Sequence, residues 1–216
     1  TSDPLEAVRQ QQARGGYAET IEPLRDLLAE RPEDGELNYL YGLALLATGE
    51  YGAATWPLRQ AMKDPEWHYP AAMLIVRGAL VSNDFNEVVE VTTGLLEKDP
   101  DDAVALLYRA QANAYWKRDH EAALADAKRV LELEPDRIEA YQPMILALLD
   151  LRRHAEAREQ LAEAGKRLKE TEAPAGTLAW HCSTTAIFAG EGGDPERARE
   201  LWEERLKEYP ADPTGV

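Results

Sequence analysis

The sequence predicts an all-α protein made of stacked helix-turn-helix units. Three observations predict it. An aromatic or histidine anchor returns every 34 or 35 residues, apolar positions lie three and four apart between anchors, and Pro or Gly marks the joints. The chain has 216 residues, enough for one sizeable core or one elongated array. Lys and Arg number 24 against 40 Asp and Glu, a formal charge of −16. Gripping nucleic acid needs clustered positive charge, so nucleic acid is excluded as a partner. An anionic membrane surface is disfavoured for the same reason. No apolar run reaches 18 residues, so membrane insertion is not expected. Cys182 is the single cysteine, which forbids an intrachain disulfide and leaves the compartment open between cytoplasm and periplasm. Arg well in excess of Lys, beside abundant Ala, points to a GC-rich bacterial source.

The units follow in order. Gly15-Gly16-Tyr17 leads to Thr20, Leu24, Leu27, Leu28 and Pro32. Gly49-Glu50-Tyr51 leads to Ala54, Leu58, Ala61, Met62 and an early Pro65. Asn83-Asp84-Phe85 leads to Val88, Thr92, Leu95, Leu96 and Pro100, and Arg118-Asp119-His120 to Ala123, Ala127, Val130, Leu131 and Pro135. Weaker copies are Arg152-Arg153-His154 with Ala157, Leu161 and Ala164, and Gly193-Asp194-Pro195 with Ala198, Trp202, Leu206 and Pro210. The anchors Tyr17, Tyr51, Phe85, His120 and His154 stand 34, 34, 35 and 34 apart. The step from His154 to Pro195 is 41, and the breakers in Glu170–Gly176 supply the longer connection. The array is therefore expected as repeats 1–34, 35–68, 69–102, 104–137, 138–170 and 179–212, with a linker at 171–178.

Each half-repeat lays one apolar stripe along a helix. In the second copy Leu37, Leu40, Tyr41, Ala44 and Leu45 form one stripe, and Ala54, Leu58 and Ala61 face it. Gly42 and Ala54 are small, so paired backbones can approach; a large side chain there would overpack by roughly 1–3 kcal/mol. Between copies, Pro32–Gly35, Pro100–Asp102 and Pro135–Arg137 stop one helix and start the next. Proline cannot continue a helix, and the acids suit the positive end of the one that follows.

These residues resemble the tetratricopeptide repeat (TPR) family over nearly the whole chain, as about six copies. The second copy carries the resemblance best, through Gly42, Gly49, Tyr51, Ala54 and Leu58. The first departs in its opening helix, where Pro4, Ala7, Val8 and Gln11 replace the usual bulky and glycine positions. The resemblance implies a right-handed superhelical solenoid, because one helix pair cannot bury both its faces alone. It also implies a concave groove lined by the first helix of each repeat, through its second, fifth, ninth and twelfth positions.

Those positions are Glu36, Tyr39, Leu43 and Leu46, then Pro70, Met73, Arg77 and Leu80, then Ala105, Tyr108, Ala112 and Tyr115 with Trp116 adjacent. The fifth copy contributes Glu139, Gln142, Leu146 and Leu149, and the sixth Trp180, Ser183, Ile187 and Gly190. The peptide-binding set expected from them is Tyr39, Leu43, Met73, Arg77, Tyr108, Ala112, Tyr115, Trp116, Gln142, Leu146 and Trp180. Tyr, Trp and Arg tend to carry binding energy, and this lining suits an extended or helical segment with apolar anchors. The competing account is that the same aromatics pack against neighbouring helices. The family's carboxylate clamp would fall on Leu5, Arg9, Tyr39, Met73 and Arg77, and two arginines do not make it. Trp56, Trp67 and Trp202 lie outside the groove and are expected to pack, as are His120 and His154 at the anchor position.

Other constellations fall short. His181 and Cys182 are adjacent, about 100° apart on a helix, so they do not chelate one ion easily. His120-Glu121 would open a zinc-protease motif, but Leu124 stands where the second His is needed. Gly190–Gly193 ends on Pro195 where a dinucleotide loop needs glycine, and no strand precedes it. No calcium-loop pattern and no Asn-x-Ser/Thr site occurs. No cofactor, no metal and no catalysis are expected. The expected function is a scaffold that grips a polypeptide in the groove. The alternative is a structural or regulatory appendage of a larger enzyme or assembly, acting by spacing or self-association. The chain starts at Thr1 and only six residues follow Pro210. A fragment of a longer protein, or self-association through the C-terminal repeat, is the expectation.

Overall fold

The computed structural model describes residues 3–170 and 184–185. Ten α-helices and no strand occur among the described residues. They are α1 (Pro4–Ala13), α2 (Ile21–Glu30), α3 (Gly35–Ala47), α4 (Tyr51–Ala61) and α5 (His68–Ser82). Then come α6 (Phe85–Lys98), α7 (Ala103–Ala112), α8 (His120–Leu133), α9 (Tyr141–Asp150) and α10 (His154–Glu170). The chain divides into two compact units, Thr1–Arg109 and Ala110–Val216, with the boundary inside α7.

In the first unit consecutive helices pack on one another from α1 to α6, and α3 also meets α5. The two stripes of the second copy close on each other: Leu37, Ala44, Ala54, Leu58 and Ala61 are all buried. Gly42 makes this approach possible, since a Cβ there would overlap the Leu58 side chain. The unusual first copy still forms a helix. Leu5 and Val8 join a cluster with Leu24, Leu37 and Leu40. Gln12, buried beside them, donates from Nε2 to Thr20 Oγ1 and to the Leu40 carbonyl, each at 3.0 Å. In the second unit α9 packs on both α8 and α10. Leu124, Tyr141, Met144, Ile145, Leu148 and Leu161 make its core.

One turn repeats through both units. Gly15, Gly49, Asn83, Arg118 and Arg152 all have positive φ, between 58° and 86°. They end the first helix of successive copies and sit 34, 34, 35 and 34 apart. At Gly49 the next amide, Glu50 N, donates back to the Leu45 carbonyl at 2.8 Å. Asp84 N to Ala79 and Arg153 N to Leu148 repeat this bond at 2.8 Å. The left-handed residue caps the helix, and two copies use glycine, which pays no steric penalty there. The acid that follows starts the second helix: Asp84 Oδ1 accepts from Glu87 N, and Asp119 Oδ1 from Ala122 N, each at 3.2 Å.

The single 35-residue step has a definite location. Asp102 Oδ1 accepts from Val104 N and Ala105 N and so caps α7, 68 residues after Asp34, which caps α3 through Leu37 N. At that point the period is still in phase. The extra residue enters later, in a π-helical turn over Asn113–Lys117 that runs into the left-handed Arg118. A wider turn absorbs one residue without unravelling the helix, which is how such turns arise.

Two packing expectations are corrected. Trp56 is 63% exposed on the outer side of α4, because the buried stripe of that helix runs through Ala54, Pro57 and Leu58. His154 is exposed as the first residue of α10, while His120 is largely buried and sits 3.6 Å from Asp150. The sixth copy except 184–185, the 171–178 linker, His181-Cys182, Trp180 and Trp202 lie outside the described residues. No helix among the described residues is long and apolar enough to cross a membrane.

Candidate functional site

In the first unit α3 presents Tyr39, Leu43 and Leu46, and α5 presents Met73, Arg77 and Leu80, spaced four and three apart. Residues at that spacing share one helix face. The buried stripes of α3 and α5 take the other positions, so these six remain half-buried or, at Arg77, exposed. Tyr108 is half-buried as well. Tyr39 is fixed by Trp67, whose ring centre lies 4.7 Å away at an interplanar angle of 34°. Trp67 thus packs against a side chain expected in the groove. Burial pushes the Tyr39 phenol above its ordinary value, and the Arg77 charge pulls the other way.

A cavity of about 340 Å³ opens beside this face. Leu43, Leu46 and Ala47 of α3 and Leu74, Arg77, Gly78 and Val81 of α5 line it, with Tyr17 and Tyr51. Gly78 keeps the two helices close; a Cβ there would stand 2.7 Å from Leu46 Cδ2. Val81 is 59% exposed although it is a large aliphatic side chain. Of the expected groove residues, Leu43 and Arg77 line this cavity, and Tyr39, Met73 and Tyr108 do not. Ala47, Val81, Tyr17 and Tyr51 were not expected. Ala47 and Val81 stand one residue beyond the twelfth position and 34 apart, so the repeat itself carried the signal. Tyr17 and Tyr51 were masked by their anchor role.

The cations differ sharply in their surroundings. Arg9 donates from Nε and Nη2 to the two carboxylate oxygens of Glu36, both at 2.7 Å, and from Nη1 to Glu6. Arg77 makes no salt bridge or side-chain hydrogen bond among the described residues. The Tyr17 and Tyr51 hydroxyls likewise have no hydrogen-bond partner there.

In the second unit Gln142 and Leu146 are half-buried on α9, and Leu146 leans on the core. Tyr115 and Trp116 are exposed, at 39% and 46%, with ring centres 5.3 Å apart. Ala112 is a correction: it is fully buried and offers no surface. Placing the extra residue before α7 shifted the expected groove position by one. Because the residue enters at the π turn, Gln111, half-buried, takes the place equivalent to Arg77.

Solved structures share this architecture. A tetratricopeptide repeat protein from Parabacteroides merdae superposes with a TM-score of 0.77 at 14% identity, covering 98% of this chain and 80% of that one. The fold is the tetratricopeptide-repeat fold. MamA from residue 41 onward, from Desulfovibrio magneticus RS-1, gives 0.68 at 18% identity over 79% of this chain and 96% of that one. YrrB, described as a TPR protein with an unusual peptide-binding site, gives 0.64 at 15% identity over 87% and 93%. No protein-family model matches the sequence, and no curated protein sequence matches it significantly.

Proposed function

We propose that this chain is a protein-interaction scaffold that holds a polypeptide segment against the first-helix face of its TPR units. The observation that carries the proposal is the cavity between α3 and α5, apolar along its walls and edged by Arg77, Tyr17 and Tyr51. A largely apolar concavity with a few polar groups is the usual form of a binding site. The peptide-binding site named for YrrB, a protein of the same fold, supports a polypeptide as the occupant. Within the second unit, the exposed Tyr115 and Trp116 offer a separate aromatic pair. Catalysis plays no part in this proposal.

Capture from an extract of the source organism tests it, comparing the wild type with Val81→Asp. Val81 is exposed, so the substitution leaves folding intact while placing a charge in the cavity. At least one partner captured by the wild type should be lost. Unchanged capture of every partner would remove the groove as the binding site.

A further inference from the structure

We infer that the cavity between α3 and α5 selects, within a bound polypeptide, one bulky apolar side chain directly beside a single carboxylate. This deepens the groove proposal above and rests on it. A volume of about 340 Å³ accommodates one aromatic or large aliphatic side chain with part of its backbone. Leu43, Leu46, Leu74 and Val81 offer that side chain no hydrogen bond and so favour an apolar group.

Arg77 sets the second requirement. It is the one cation in the lining and has no acidic partner among the described residues. That is a departure in a chain where acids outnumber bases 40 to 24, and where Arg9, on the opening helix, is held by both oxygens of Glu36. A guanidinium edge binds a carboxylate through two parallel, charge-assisted hydrogen bonds. Arg77 is the one charged side chain in the lining, so the cavity rewards one carboxylate. A run of acids would leave the others unpaired in the field of a chain carrying −16. The Tyr17 and Tyr51 hydroxyls, also without partners, can donate to the same carboxylate or to the adjoining peptide carbonyl. The occupant is a polypeptide rather than a small acid because Tyr39 and Met73, half-exposed on the same helices, extend the apolar face beyond the cavity.

A displayed library of random linear peptides, panned against the full chain and against Arg77→Gln and Val81→Asp, tests this. Circular dichroism of each variant verifies that the helices are retained. The wild type should enrich peptides with Phe, Trp, Leu or Met next to one Asp or Glu, preferred over Asn or Gln by about tenfold. Arg77→Gln should keep the apolar anchor and lose the acid preference, and Val81→Asp should abolish enrichment. Apolar peptides with no acid preference, or a preference unaltered in Arg77→Gln, would overturn this inference and leave the groove proposal standing, provided Val81→Asp still abolishes enrichment. No enrichment by the wild type, or enrichment indifferent to Val81→Asp, would overturn both.

Discussion

Arg9 and Glu36 are joined by two parallel hydrogen bonds of 2.7 Å, linking the first helices of the first two repeats. Glu36 stands at a position expected to face the groove, so under the proposed function the pair bears on the charge presented there. Replacing Glu36 with Gln removes one acid and leaves Arg9 held by Glu6 alone. Binding of a peptide with two acidic residues should then strengthen severalfold, while the urea midpoint moves little because exposed ion pairs contribute weakly. Titration of a labelled diacidic peptide into both proteins measures the change.

Arg118 and Arg152 hold left-handed backbone, with φ of 58° and 60°, where the first two copies place Gly15 and Gly49. A side chain with a Cβ is disfavoured there by about 1–2 kcal/mol, partly offset by the greater freedom of glycine in the unfolded chain. Arg118→Gly and Arg152→Gly should each stabilise the protein by about 0.5–1 kcal/mol. Urea denaturation at neutral pH gives the values; destabilisation by either would show that the arginine side chain contributes more than its backbone strain.

Gly42 is needed for close approach, since a Cβ there overlaps Leu58. Gly42→Val should cost about 1–3 kcal/mol by forcing α3 and α4 apart, although valine is no poorer a neighbour for leucine. A thermal melt comparing Gly42→Val with Gly52→Ala separates the two causes. A Cβ at Gly52 meets nothing within 4 Å, so Gly52→Ala should not lower the melting temperature.

The 35-residue step predicts a tolerated deletion. Removing Tyr115 from the π turn restores 34-residue spacing and ordinary helical bonding. The variant should fold with stability within about 1 kcal/mol of the wild type. Removing Leu107 from the preceding helix instead rotates a buried stripe out of register and should cost several times more. Chemical denaturation followed by circular dichroism compares the two.

Alkaline pH gives a signed prediction. Burial, and then the charge and hydrogen bond of Asp102, push the Tyr69 phenol up from 10 to about 12. The folded state therefore keeps a proton that the unfolded state releases. Its stabilising contribution is complete below pH 10 and is lost as pH rises toward 12. Tyr69→Phe should lose less stability than the wild type between those values, measured as urea midpoints across the window.

Much of the fold was legible because the signals are local. The buried stripe through Leu37, Ala44 and Leu58 follows from helical periodicity, and the approach at Gly42 from the absence of a side chain. The helix faces of α3 and α5 that keep Tyr39, Leu43, Met73 and Arg77 out of the buried stripes were legible for the same reason. Trp56 was not: an aromatic residue is as apolar on the outer side of α4 as in a core, and only the packed helices decide between them.

The sequence by itself determined an all-α repeat of 34 residues, because spacing, caps and apolar stripes are properties of short segments. Only the tertiary structure decided where the thirty-fifth residue enters, which buried Ala112 and put Gln111 in its place. It also decided that Arg9 is taken by Glu36 while Arg77 is left open. A helix absorbs an insertion wherever its neighbours leave room, and an ion pair across 27 residues depends on how two helices sit side by side, which no local pattern encodes.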